Sequence, residues 1–159
     1  MQSSILYNMG ERSGNMVNIK QLAKYILDTK GRMTTMKLQK LCYYCQAWSM
    51  AWEEIPLIKE NFEAWANGPV CPELYQLHKG KYVISSEDID ADYAGAFNDD
   101  QLDTISKVLE YYGDKEPFWL SELTHKEYPW KHAREGYEPG ERCTNVISLE
   151  DMQAYYSSL

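Results

Sequence analysis

Three sets of residues in this 159-residue chain have types and spacings that could do chemistry. Cys42 and Cys45 stand in the Cys-x-x-Cys spacing of half a zinc or redox motif, because thiolates so placed can share one metal ion or one disulfide. Completing a zinc site would take Cys71, Cys143 or a histidine, and these lack the paired spacing of a four-cysteine site. Asp88, Asp90, Asp92 and Asp99 fall at positions one, three, five and twelve of a calcium loop, yet Tyr93 occupies the position that needs glycine. Asp99 is also shorter than the glutamate that would grip the ion with both oxygens. A nucleophile and base would have to be Cys71 and His125, far apart in sequence, and the chain has neither a nucleophile elbow nor a phosphate-cradling glycine run. In each case a plainer explanation fits the residues better: small thiols on an apolar helix face, carboxylates in a solvated loop, a histidine satisfying a helix end.

Charge is distributed unevenly. The first fifty-two residues carry seven basic residues against two acidic ones, whereas Glu87, Asp88, Asp90, Asp92, Asp99, Asp100 and Asp103 lie between Tyr82 and Ser106 without one basic residue. The formal net charge is -8. Such a chain repels a phosphate backbone at long range, so the balance favours a protein partner over nucleic acid. Four cysteines, two of them in one helix, read as reduced thiols of a cytoplasmic protein. The opening MQSSILYNMGERSGN lacks the apolar core of a signal peptide, and no apolar run is long enough to span a bilayer, so no membrane partner is expected.

Helices must carry most of these residues. A first helix is expected from Asn18, as N-cap, to Lys30, with Gly31 as its stop. A second, capped by Thr34 or Thr35, repeats Met36, Leu38, Leu41, Cys42, Cys45, Trp48 and Trp52 at helical spacing up to Pro56, with so much apolar surface that it should be central. The alternation of LIKENFEAW (residues 57–65) predicts a hairpin turning at Glu60 and Asn61, and Gly68-Pro69 then breaks the chain. Pro72 opens a third helix that ends near Gly80, and the acidic segment follows as a loop. Further helices are expected from Asn98 or Asp99 to Gly113, from Pro117, from Pro129 to Arg134, and from a capping box at Ser148 and Asp151. The fold class is therefore mainly α, an α+β arrangement with a small antiparallel hairpin between the second and third helices. Residues 1–15 read as a disordered tail and residues 16–159 as a single domain.

Several motifs then occur in order: KLQKLCYY from Lys37 to Tyr44 followed by Gln46, Ala47 and Trp48; Phe62-Glu63-Ala64-Trp65; Gly68-Pro69-Val70 with Pro72-Glu73-Leu74-Tyr75; and Leu123-Thr124-His125 with Pro129-Trp130. This succession resembles the Panacea domain family, which includes SocA-like antitoxins and phage-associated GepA-like proteins. The resemblance covers roughly residues 16 to 135. It implies an antitoxin of a type II toxin-antitoxin pair that neutralises a cognate toxin by direct binding, or, in some members, an adaptor that hands the toxin to an ATP-dependent protease. Neither role asks for a cofactor, a metal or catalysis by this chain. Rival readings are a mobile-element enzyme built on Cys71 and His125 and a DNA-binding regulator using the basic first two helices. Gln39 and Lys40 lie on the more polar side of the second helix, and Tyr43, Tyr44, Trp65, Tyr75 and Trp130 can each present a ring edge or polar tip. These seven are the expected partner-binding residues.

Overall fold

The computed structural model describes residues 16–159. The expected tail at residues 1–15 lies outside them. Helix α1, Ile19–Lys30, begins where Asn18 and Gln21 cap each other reciprocally and ends at Gly31. Its buried stripe is Ile19, Leu22, Ala23, Ile26 and Leu27. A two-residue strand β1, Met33–Thr34, leads into helix α2, Thr35–Glu53, whose first turn is capped by the Thr34 hydroxyl accepting from Lys37 N. From Leu38 to Ala47 every residue of α2 is buried, because other elements surround this part of the helix. Only its ends emerge, with Met36 and Trp52 exposed although they share the helical spacing of the core residues.

The hairpin lies between the second and third helices but one segment later than the alternation suggested. Strand β2, Glu63–Trp65, pairs antiparallel with β3, Gly68–Val70, so Ala66 and Asn67 form the turn and Gly68-Pro69 belongs to a strand. Gly68, at φ +117, adopts a dihedral closed to residues with a Cβ, and Pro69 is tolerated because a two-stranded ribbon has only edges. Glu60 and Asn61 do not turn a hairpin. The Leu57 and Ile58 amides are satisfied by Gln46 Oε1 at 2.8 and 3.0 Å, and Glu60 Oε1 takes the Ile19 amide at 2.9 Å. Side chains, with a single bridge between Ile58 and Val17, thus take the place of the strand partner that the alternation suggested.

Helix α3, Pro72–His78, starts with proline in its first turn. Strand β4, Val83–Ile84, then pairs with β1, and a 3-10 turn covers Ser86–Asp88, so the acidic segment is more ordered than a plain loop. It straps onto the basic first helix: Lys24 Nζ donates to the Ser86 and Ile89 carbonyls at 2.9 and 3.1 Å, and Tyr93 OH donates to Asp28 at 2.7 Å. The acidic segment is thereby tied to the first helix through backbone carbonyls and a phenol. Helix α4, Asp99–Tyr112, has a reciprocal cap of Asn98 and Gln101. Helices α5, Pro117–Lys126, and α6, Tyr128–Ala133, follow, and α7, Leu149–Ser157, is capped by Ser148 accepting from Asp151 N. The apolar core runs from Val17 to Tyr156 around α2.

Candidate partner-binding site

A cavity of about 470 Å³ opens beside the N-terminal half of α2. Its wall includes Met36, Gln39 and Lys40 from α2, Trp65 to Asn67 and Val70 from the hairpin, Tyr75 and His78 from α3, and Arg142 to Thr144 from the chain before α7. Gln39, Lys40, Trp65 and Tyr75, four of the seven expected residues, come together here.

Gln39 is buried and fully employed. Its Oε1 accepts from Cys71 N at 2.8 Å, while its Nε2 donates to the Cys71 carbonyl at 3.3 Å and lies 3.0 Å from His78 Nε2. That amide pins the start of α3 to α2, a positioning role rather than a solvent-facing one. Lys40 is only 2 % exposed, and among the described residues its ammonium forms no hydrogen bond or ion pair. Burial pushes its pKa down to about 8. Gly68 makes room for it, since a Cβ there would stand 2.5 Å from Lys40 Cε and 3.2 Å from Nζ. Both polar residues were expected on an outward side of the helix. No outward side exists in this part of α2, which is why they are inside.

The aromatic wall is held from behind. Trp65 and Tyr75 meet edge to face with centroids 5.0 Å apart, and Trp65 Nε1 donates to Glu63 at 2.8 Å. Trp130 lies behind the hairpin, donating from Nε1 to the Trp65 carbonyl at 2.9 Å and stacking on His125 at 4.3 Å. Ser121 Oγ holds the Asn67 carbonyl at 2.7 Å, and the buried Arg134 donates to the carbonyls of Ala64, Glu138 and Glu141. Both walls of the cavity are thereby fixed to the same scaffold.

Tyr43 and Tyr44 are elsewhere. Both are at most 1 % exposed, so neither presents a tip at the surface. Tyr44 stacks on Tyr112 at 4.1 Å and donates to Glu127 Oε1 at 2.8 Å, which Tyr156 OH also reaches at 2.7 Å. Tyr43 OH pairs with Tyr156 OH at 3.2 Å. Burial raises the Glu127 pKa and those of the tyrosines, and the phenol network satisfies the carboxyl where water cannot. The Tyr44 hydroxyl, which sequence reasoning assigned to a surface, instead meets a buried carboxyl at the junction of α5 and α6, and the Tyr43 hydroxyl meets Tyr156 on α7, pairings that helical periodicity does not reveal.

All four cysteines are buried and unpaired by disulfides. Cys71 Sγ donates to the Glu73 carboxylate at 3.4 Å rather than to His125, and burial pushes its pKa up to about 12, so it is a thiol at neutral pH. Asp88 Oδ2 accepts from Ser85 N and Asp92 Oδ1 from Ala94 N, both 2.9 and 2.9 Å, carboxylates occupied with the local backbone. Among the described residues no group of three or more His, Cys, Asp or Glu is placed to hold a metal ion, and no helix is long and apolar enough to cross a membrane.

A second aromatic surface escaped the sequence reading. Trp52, Tyr111, Phe118 and Trp119 are exposed, with Lys107 over Trp52 at 5.5 Å and Lys115 over Tyr111 and Trp119 at 5.5 and 4.8 Å. The doublets Tyr111-Tyr112 and Phe118-Trp119 held the signal, because adjacent helical residues diverge by about 100° and a narrow core stripe takes at most one of each pair.

The cavity and its support are built mainly from the stretch between α2 and α6. That stretch matches a family model, described as the Antitoxin SocA-like, Panacea domain, over residues 38–131. The chain belongs to this family. Comparisons with curated proteins and with solved structures return no match. Membership in the Panacea family points to an antitoxin-type role, for which the general partner is a toxin. In this Panacea domain the matched residues include Gln39, Lys40, Trp65, Tyr75 and Trp130, together with the buried pair Tyr43 and Tyr44.

Proposed function

We propose that this chain is the antitoxin of a type II pair and neutralises a cognate toxin protein by binding it directly, with the cavity and its aromatic rim as part of the contact surface. The observation that carries the reading is the match over residues 38–131, which spans the α2 floor, the hairpin and the α6 support of the cavity. Half-buried rings on a rigid scaffold favour tight contact because little conformational freedom is lost when they are covered. Trp65 and Tyr75 meet that description; Gln39 and Trp130 hold the wall, and Tyr43 and Tyr44 hold the core behind it. Occlusion of a toxic surface needs no turnover, in keeping with the Cys42, Cys45 and Cys71 thiols, which burial keeps protonated.

Calorimetric titration of the purified chain with the protein encoded beside it tests this. A 1:1 complex is expected, weakened about 30-fold by Trp65→Ala or Tyr75→Ala in variants whose circular dichroism is unchanged. No heat of binding at micromolar concentrations would sink the reading. Wild-type affinity in both variants would instead move the interface to the Trp52, Tyr111 and Trp119 surface.

A further inference from the structure

Two buried cations sit near the hairpin, and they are treated differently. Arg134 spends its guanidinium on three carbonyls, whereas Lys40, 2 % exposed and lining the cavity, makes no hydrogen bond or ion pair among the described residues. An ammonium on a side chain this deeply buried, with no protein acceptor, has only the cavity from which to draw a partner, so an occupant that supplies an acceptor there would be favoured. The glycine at position 68 keeps the space that the side chain needs, with Lys40 Nζ 3.2 Å from where a Cβ would stand.

The lining narrows the chemistry. Lys40, Arg142 and His78 contribute to the wall, and no Asp or Glu does. Met36, Trp65, Val70 and Tyr75 make the rest of it largely apolar. One deep cation under an aromatic wall suits a single carboxylate on a short hydrocarbon stem. A nucleic acid would need a row of exposed cations on a chain whose net charge is instead -8.

We propose that this cavity is a carboxylate subsite, in which Lys40 Nζ receives an Asp or Glu side chain of the bound protein partner while Trp65 and Tyr75 cover its methylene stem. This rests on the toxin-binding reading. The partner's carboxylate gains a charge-assisted hydrogen bond to an ammonium that no other described residue engages, and Arg142 at the rim adds long-range attraction.

Two arms test it. In the first, the chain carrying ¹³C-labelled lysine is titrated with 3-phenylpropanoate and, separately, with 3-phenylpropanamide. The acid should shift the Lys40 ¹³Cε signal saturably and the amide should not. In the second, the affinity of the neighbouring encoded protein is compared for wild type, Lys40→Met and Lys40→Gln, with a loss of at least tenfold expected in both variants. No acid-specific shift at Lys40, or unchanged partner affinity in a folded variant, overturns the subsite and leaves toxin binding standing if wild type still binds. An acid-specific shift with no binding of the neighbouring protein to wild type removes the toxin-binding reading and the protein source, and leaves a pocket for a free carboxylate.

Discussion

Lys40→Met should stabilise the isolated chain. Methionine keeps the length and most of the volume of the lysine stem, so the cavity wall stays packed while the buried ammonium is removed. The fall of the lysine pKa from 10.5 to about 8 corresponds to about 3 kcal/mol of folding free energy withheld at neutral pH. The sign follows from proton counts. Between about 8 and 10.5 the unfolded chain holds a proton on Lys40 that the folded chain does not, so this group's contribution to stability rises with pH across that window and is least favourable below it. Replacing it should therefore gain about 1 to 3 kcal/mol at pH 7, or about 3 to 10 °C in Tm for a chain of this size. The advantage should shrink as pH climbs past 8. Buried tyrosines and cysteines, whose pKa values are raised, push stability the other way in the same range, but they are common to both proteins and cancel in the difference. Urea denaturation of both proteins from pH 7 to 9.5 gives that difference directly. A Lys40→Met protein less stable than wild type, by an amount independent of pH, would mean that the ammonium is satisfied in the folded chain and would remove the physical basis of the carboxylate subsite.

Gly68→Ala should cost about 2 kcal/mol or more, since φ +117 strains any side chain and the new Cβ would meet Lys40 Cε at 2.5 Å; an unchanged melting temperature would contradict the close approach. Glu127 has a folded pKa above its ordinary 4.5, so its contribution is full below that value and is lost as pH rises through the folded pKa. Wild-type stability relative to Glu127→Gln should accordingly fall as pH rises above 4.5, and Glu127→Ala, which removes the acceptor of the Tyr44 and Tyr156 hydroxyls, should cost about 3 kcal/mol in chemical denaturation. Trp48→Ala should cost about 3 kcal/mol, because this half-buried ring packs against Trp52 and Tyr156 and its Nε1 donates to Tyr112 OH at 2.9 Å; a neutral calorimetric melt would put Trp48 outside the cooperative core.

Local signals carried the helices well. Asn18 with Gln21, Thr34, Pro72, Asn98 with Gln101, and Pro117 each mark a boundary that the structure keeps, because caps and first-turn prolines act within four residues. The hairpin was legible as a motif but displaced, since LIKENFEAW alternates like a strand while its first two amides are taken by Gln46, an acceptor from the middle of another helix. The site was legible in part. Trp65 and Tyr75 look like interface residues from their type alone and do line the cavity. Lys40 could not be placed correctly, because its burial depends on the hairpin crossing α2 at Gly68, a contact 28 positions away. Tyr43 and Tyr44 failed for a related reason: their hydroxyl partners, Tyr156 and Glu127, come from distant turns of the chain.

Growth under paired expression tests the central claim most directly. The neighbouring encoded protein, induced alone, should arrest growth, and co-expression of this chain at equal, verified levels should restore it, with the two proteins recovered as one complex. Restoration that disappears in a host lacking its ATP-dependent proteases would replace occlusion by delivery to degradation. Continued arrest in the presence of an equimolar, folded chain would contradict neutralisation by this domain altogether.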